Sequence, residues 1–154
     1  ISKPLNITES PHGVHWVTAY KIFKDNPYLG SGLKNFRLRC SNENYSTNNK
    51  FDHVRCSTHP HNMLFEFLSE TGLFGTLFFL IFIFLILFKK IHYLFDPLFF
   101  TISLSIVLFL WPLGTSGSFF STWNGSFFWF FLGLLLAVKK NLNSKNNEIK
   151  KKLN

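Results

Sequence analysis

The chain has 154 residues, about one domain's worth, with 21 phenylalanines and a formal charge of +8 from 16 Lys and Arg against eight Asp and Glu. Three blocks near the C-terminal half are apolar on every side, which excludes surface helices of a soluble protein. The basic excess does not read as a nucleic-acid face, because six of the 16 basic residues fall in 139–152, directly behind the last apolar block, as the cytoplasmic flank of a membrane span does.

In chain order, residues 1–62 form a polar segment expected on the outer side of the membrane. The chain opens on Ile1 without a signal peptide, which suggests the C-terminal part of a longer protein. In "GVHWVTAYKIFKDNP", Trp16, Ala19, Tyr20 and Phe23 recur at helical spacing, so a short amphipathic helix is expected, lying on the membrane or on the rest of the protein. Asp25-Asn26-Pro27 ends it. "YLGSGLKNF" is a glycine-paired turn, and "SNENYSTNNK" is a polar loop framed by Cys40 and Cys56, the two cysteines of the chain. A bridge between them would close about 15 residues and contribute roughly 3 kcal/mol in the chain-entropy model. Two free thiols, or a metal site shared with the histidines, are the alternatives.

Three transmembrane helices are expected over about 66–88, 95–113 and 119–138, each near the roughly 20 residues a span requires. Lys89 and Lys90 mark the inner end of the first. Asp96 caps the second with Pro97 in its first position, and Trp111-Pro112 ends it. "LGTSGSFFST" is a short outer turn, and Trp123 and Trp129 open the return span, so that Trp111 and Trp123 fall at the same interface, as an aromatic belt would place them. The tail 139–154, rich in Asn and Lys, is expected to be disordered and cytoplasmic.

Chemistry concentrates at "CSTHPHN", where the polar segment meets the first span. Three readings compete. His59 and His61 could bind a metal with Cys56, although zinc needs three or four ligands and His12, His15 and His53 stand at unremarkable spacings. A histidine could pack under the loop or cap the next helix. Or His61 is a reactive base: Pro60 stiffens its approach, Asn62 can cap or orient, and the positive end of a helix beginning at Met63 favours an anion there. With Lys34, Arg37, Arg39 and Arg55 in the same segment, this set suits deprotonation of a hydroxyl while a phosphate-type group departs. Glu66 and Glu70 fall at i and i+4 on one helix face, and either line a wet cavity or sit among headgroups.

The motifs then become specific. His61-Asn62, nine residues, and Gly72-x-x-Gly75 resemble the signature of the O-antigen ligase and O-antigen polymerase superfamily. "NPYLGSGLKNF" resembles that family's NP-x-x-G-x-G segment at Asn26, Pro27, Gly30, Gly32 and Phe36. The resemblance covers about 16–138 and implies an all-α polytopic protein of the bacterial inner membrane, related to GT-C glycosyltransferases. The implied activity moves a glycan from undecaprenyl diphosphate to a hydroxyl of lipid A-core or of a growing glycan, at the periplasmic face, without metal or other cofactor. It implies His61 as the residue activating the acceptor and arginines on the diphosphate, with Arg37 first, then Arg39 and Arg55. Asn62, His59, Glu66, Glu70, Gly72 and Gly75 are the supporting set. The expected partners are the lipid-linked glycan, its acceptor, membrane lipids and further N-terminal helices, with no nucleic acid; the piece alone is expected to be inactive. A non-enzymatic membrane anchor whose periplasmic loop binds a partner is the competing reading.

Overall fold

The computed structural model describes residues 10–88 and 91–153. Lys89 and Lys90, expected at the inner end of the first span, lie outside the described residues, as do the first nine. Five α-helices follow in order: α1 (Pro11–Asp25), α2 (Phe36–Arg39), α3 (Met63–Phe88), α4 (Pro97–Phe109) and α5 (Thr122–Leu153), with short 3-10 turns between them and no strand among the described residues. The chain divides into two units. One runs to Ile81 and includes Pro112–Ser121; the other holds Phe82–Trp111 and everything from Thr122.

In the first unit, α1 starts where the sequence allows a start. The Ser10 side chain accepts from the Gly13 N–H at 3.0 Å, Pro11 occupies the first turn, and Asn26 ends the helix. Its buried stripe is Val14, Thr18, Ala19 and Ile22. That differs from the expected Trp16, Ala19, Tyr20 and Phe23, because this face packs against Phe36, Cys40 and Tyr45 and leaves Tyr20 exposed. A disulfide joins Cys40 to Cys56 across a Cα separation of 5.2 Å. Beside it, Asp52 accepts from the Thr47 N–H at 2.6 Å, the Thr47 hydroxyl at 2.7 Å and the Ser46 hydroxyl at 3.0 Å. Burial pushes the Asp52 carboxyl up, but those hydrogen bonds and the Arg55 charge outweigh it and hold it at about 2.

Helix α3 breaks once, at Gly72 (φ 66°). The break frees backbone groups, and the glycine-paired turn takes them up. Leu73 and Phe74 donate to the carbonyls of Pro27 and Tyr28, while Ser31 and Gly32 donate to those of Ser69 and Glu70, at 2.8–3.2 Å. The two glycine motifs of the sequence are therefore the two halves of one backbone junction.

In the second unit, α4 has Asp96 as its N-cap, accepting from the Phe99 N–H at 2.9 Å, with Pro97 in the first turn. It packs along α5 through Phe99, Ile102 and Ile106 on one side and Phe128, Leu132 and Leu135 on the other. The Lys139 ammonium donates to the Ile86 carbonyl near the end of α3.

Among the described residues, two helices are long and apolar enough to cross a membrane, Met63–Phe88 and Thr122–Glu148. The middle helix has 13 residues, about 20 Å at 1.5 Å per residue, short of the roughly 30 Å of a hydrocarbon core. The expected third span also changes at both ends. It starts at Thr122, because Phe119 is held back on α3. It continues through the tail expected to be disordered, because 139–153 contains no Pro or Gly and extends a helix whose nucleation is already complete.

Candidate functional site

The site begins with a backbone outlier. His61 has φ 54°, a left-handed conformation that costs a side-chain-bearing residue energy. Neighbours on both sides hold it there. Its carbonyl accepts from the Ser116 N–H at 3.0 Å. The next residue, Asn62, is buried and caps α3 by accepting from the Phe65 N–H at 3.1 Å, while its amide nitrogen donates to the carbonyls of Pro112 and Gly114 at 2.7 and 3.1 Å. One turn on, the buried Glu66 carboxylate accepts from the Phe119 N–H at 2.8 Å and from the Ser118 hydroxyl. Residues 112–119 are thus clamped over the start of α3. Strain held in place by its surroundings is a mark of functional sites.

Around the His61 ring stand three more histidines. Its centroid lies 4.2 Å from that of His59, 5.2 Å from His15 and 5.4 Å from His12. Two of the partners are held by bonds of their own. His15 donates from Nδ1 to the Arg55 carbonyl at 3.1 Å, and His59 donates from Nε2 to the Ser116 carbonyl at 3.2 Å. His61 Nε2 meets the Ser57 hydroxyl at 3.0 Å. Burial, and then repulsion from His59, His15 and His12, pushes His61 down to about 4. Burial also lowers His59 and His15. His15, His59 and His61 are therefore neutral near pH 7, with a ring nitrogen of His61 already at hydrogen-bonding distance from a hydroxyl.

An apolar groove of about 340 Å³, lined by Gly13, Trp16, Val17, Tyr20 and Phe65, adjoins the cluster along α1. Trp16 of α1 stacks on Phe65 of α3 at 6.0 Å, and Pro27, just past α1, accepts from the Leu73 N–H.

The residues named from the sequence separate into distinct groups. His59, His61 and Asn62 come together. Glu66 and Glu70 neither line a wet cavity nor reach headgroups: both are buried and bind backbone. Glu70 accepts from the N–H groups of Lys34 at 2.6 Å and Phe36 at 3.2 Å. Gly72 is the α3 break; Gly75 lies one turn later, where a β-carbon would meet the Thr71 side chain at 2.5 Å. Arg37 and Arg39 are exposed on α2, with the Arg37 Nε donating to the Lys34 carbonyl. The Arg55 guanidinium is committed elsewhere, to the carbonyls of Cys40 and Ser41 and the carboxylates of Asp52 and Glu43. Cys56 is tied up in its disulfide, and among the described residues no group of three or more His, Cys, Asp or Glu is arranged to hold a metal ion. His12 and His15 carried a signal that spacing alone left unremarkable: i and i+3 on a helix put both on one face.

Residues 7–80 match the family model described as O-antigen ligase. Neither the curated proteins nor the solved structures yield a match. The matched stretch runs from the start of α1 past the break in α3, so it takes in the histidine cluster and the glycine junction.

Proposed function

We propose that this chain, a member of the O-antigen ligase superfamily, transfers a glycan from a polyprenyl diphosphate to a sugar hydroxyl, with His61 as the base. The observation that carries this reading is the neutral, strained His61 at the capped head of an apolar helix, within 3.0 Å of a hydroxyl. The family match supports a glycan-transfer role in surface polysaccharide synthesis.

The chemistry balances with few parts. The acceptor oxygen forms a bond to the anomeric carbon of the donor, and its proton passes to His61 Nε2. The carbon–oxygen bond to the diphosphate breaks, and the diphosphate leaves with the electron pair. A diphosphate is a good leaving group, so the protein needs cations rather than a strong acid. Arg37 and Arg39 fill that role in this reading, and Arg55 supports the loop. The donor's negative charge also opposes the depression of the His61 pKa, strengthening the base when substrate is bound. Undecaprenyl as the lipid, the periplasmic face of the inner membrane as the location, and lipid A-core or a growing glycan as the acceptor complete the proposal.

The test is His61→Ala in the full-length protein. Loss of glycan transfer at normal membrane abundance is expected. Unchanged transfer would favour the non-enzymatic anchor instead. In a deletion strain, accumulated lipid-linked polymer indicates a ligase and single-repeat glycan a polymerase.

A further inference from the structure

Four large apolar side chains stand out of the first unit on one short segment, 28–38. Tyr28 is 63% exposed, Leu29 77%, Leu33 60% and Leu38 69%. Single exposed leucines are ordinary, but four large apolar side chains exposed on one short segment concentrate apolar surface as an interaction site does. The exposure is built in, because the segment's backbone is fixed. Ser31 and Gly32 donate to the carbonyls of Ser69 and Glu70, and the Glu70 carboxylate holds the N–H of Lys34, which sits in a left-handed conformation at φ 58°. These leucines cannot turn inward without breaking that junction.

Two observations say what covers the patch. The first is continuity. The Tyr28 ring stacks on Phe74 at 5.7 Å. From there along α3, Phe74, Leu77, Phe78 and Ile81 are exposed, whereas on the other side of Gly72 the polar Glu66, Ser69 and Glu70 are buried. The helix changes from a protein-packed face to an open apolar face at the level of this loop. The second is charge. Residues 26–42 contain Lys34, Arg37 and Arg39 and no acidic residue, and all three cations are exposed. Leucines interleaved with cations are the pattern of a segment lying in a membrane interface, with apolar side chains in the acyl boundary and cations at the headgroups.

We infer that 28–38 is an interfacial loop that inserts Leu29, Leu33 and Leu38 into an anionic phospholipid bilayer. The outer membrane interface, where headgroups meet acyl chains, then falls near Gly72, with residues 73–88 of α3 below it. Met63 stands on the order of 13 Å above it, nine residues at 1.5 Å each, so the histidine cluster lies on the water side, where a polar glycan can reach it. The inference rests on α3 being a membrane span, not on glycan transfer, and its test reads no transfer.

The test is spin labelling of Leu29→Cys and Leu33→Cys in the full-length protein, in nanodiscs of phosphatidylethanolamine and phosphatidylglycerol. Asn48→Cys, exposed on the polar loop, is the control. Retention of the Cys40–Cys56 bridge, read by mass under non-reducing conditions, reports folding of each variant. Both leucine labels should collide several-fold more with oxygen, which concentrates in acyl chains, than with an aqueous nickel chelate, and the Asn48 label the reverse. Leucine labels that behave like the Asn48 label would place the loop in water and overturn the inference. Labels shielded from both reagents would mean that protein covers the patch, which also overturns it. Replacing phosphatidylglycerol with phosphatidylcholine should shift the leucine labels toward water; an unchanged depth would remove the role given to the cations.

Discussion

Gly30 and Gly72 meet backbone to backbone. A β-carbon on Gly30 would lie 2.5 Å from the Gly72 nitrogen, and one on Gly72 would lie 2.5 Å from the Gly30 nitrogen. Both residues also have positive φ, 70° and 66°. An alanine at either position therefore faces a left-handed penalty of about 1–2 kcal/mol together with a clash against backbone, which cannot rotate away. Gly30→Ala and Gly72→Ala should each cost more than about 3 kcal/mol and lower the yield of folded protein. Gly133 is the contrast: nothing lies within 4 Å of its β-carbon position on α5, so Gly133→Ala should stabilise by about 0.5–1 kcal/mol. Thermal unfolding of the three variants in detergent checks the set. Equal midpoints would mean that the junction contributes nothing.

Arg37 and Arg55 should separate in the opposite sense to their similar chemistry. The Arg55 side chain is 14% exposed and makes ion pairs to Asp52 at 2.6 Å and Glu43 at 3.1 Å, beside its bonds to Cys40 and Ser41. Arg55→Ala removes these bonds, although Asp52 keeps those from Thr47 and Ser46, and should lower stability by about 1–3 kcal/mol, with any loss of transfer following the loss of fold. Arg37 is exposed, so Arg37→Ala should leave the unfolding midpoint unchanged. If it contacts the diphosphate, losing a charge-assisted bond worth about 1.5–3 kcal/mol raises KM for the lipid-linked donor about 10- to 100-fold. Paired measurements of unfolding and donor KM decide it; an unaltered KM in Arg37→Ala would remove that residue from the donor site.

Much of the site's outline was legible because its signals are local. Asp96-Pro97 specifies a helix start through a cap one turn long, and Asn26-Pro27 a stop. Cys40 and Cys56 frame a polar loop that their bridge closes. The family motifs single out residues but not how those residues are arranged. Nothing in "GLFG" or "NPYLGSG" says that Gly30 and Gly72 touch, because that contact depends on how α1 returns the chain to α3. The same holds for Glu66 and Glu70. Their spacing places them on one helix face, and burial against 118–119 and 34–36 is a tertiary outcome. The length of α5 is hidden for a different reason: a polar, lysine-rich composition argues against a packed core, yet it does not argue against extending a helix already formed.

The histidine cluster makes stability depend on pH in a defined direction. His15, His59 and His61 are all lowered from the ordinary imidazole value by burial. Between the unfolded value near 6.5 and the folded values, the unfolded chain binds more protons, so stability rises with pH across that window. The contribution is complete above about pH 6.5 and is lost as pH falls toward 4. Asp52, held at about 2, acts lower down: its contribution is present above about pH 4 and disappears as pH falls through 2. The unfolding midpoint should therefore fall in two stages on acidification, and His61→Gln should flatten the first. A midpoint independent of pH from 7 to 4.5 would contradict the buried, neutral cluster.

Activity should follow the same ring, more selectively. The base form of His61 persists to about pH 4 in the absence of substrate, so the acid limb of kcat/KM, which reports the free enzyme, should lie well below the 6.5 of an ordinary histidine. Removing His59 acts on both causes of that depression. It opens the site to water, which relieves burial, and it deletes a neighbour whose centroid is 4.2 Å away. His59→Ala should therefore move the acid limb up toward 6.5 while retaining activity at pH 8. Ser57 offers the complementary comparison. Its hydroxyl occupies the position at 3.0 Å from Nε2 that an acceptor hydroxyl would need. If it only fills that position, Ser57→Ala should transfer glycan as well as the unsubstituted protein, whereas His61→Ala should lose at least 100-fold, roughly the low end of what a positioned base contributes. A Ser57→Ala variant as dead as His61→Ala would instead make the serine a participant in the reaction, and the acceptor would have to be sought elsewhere around the ring.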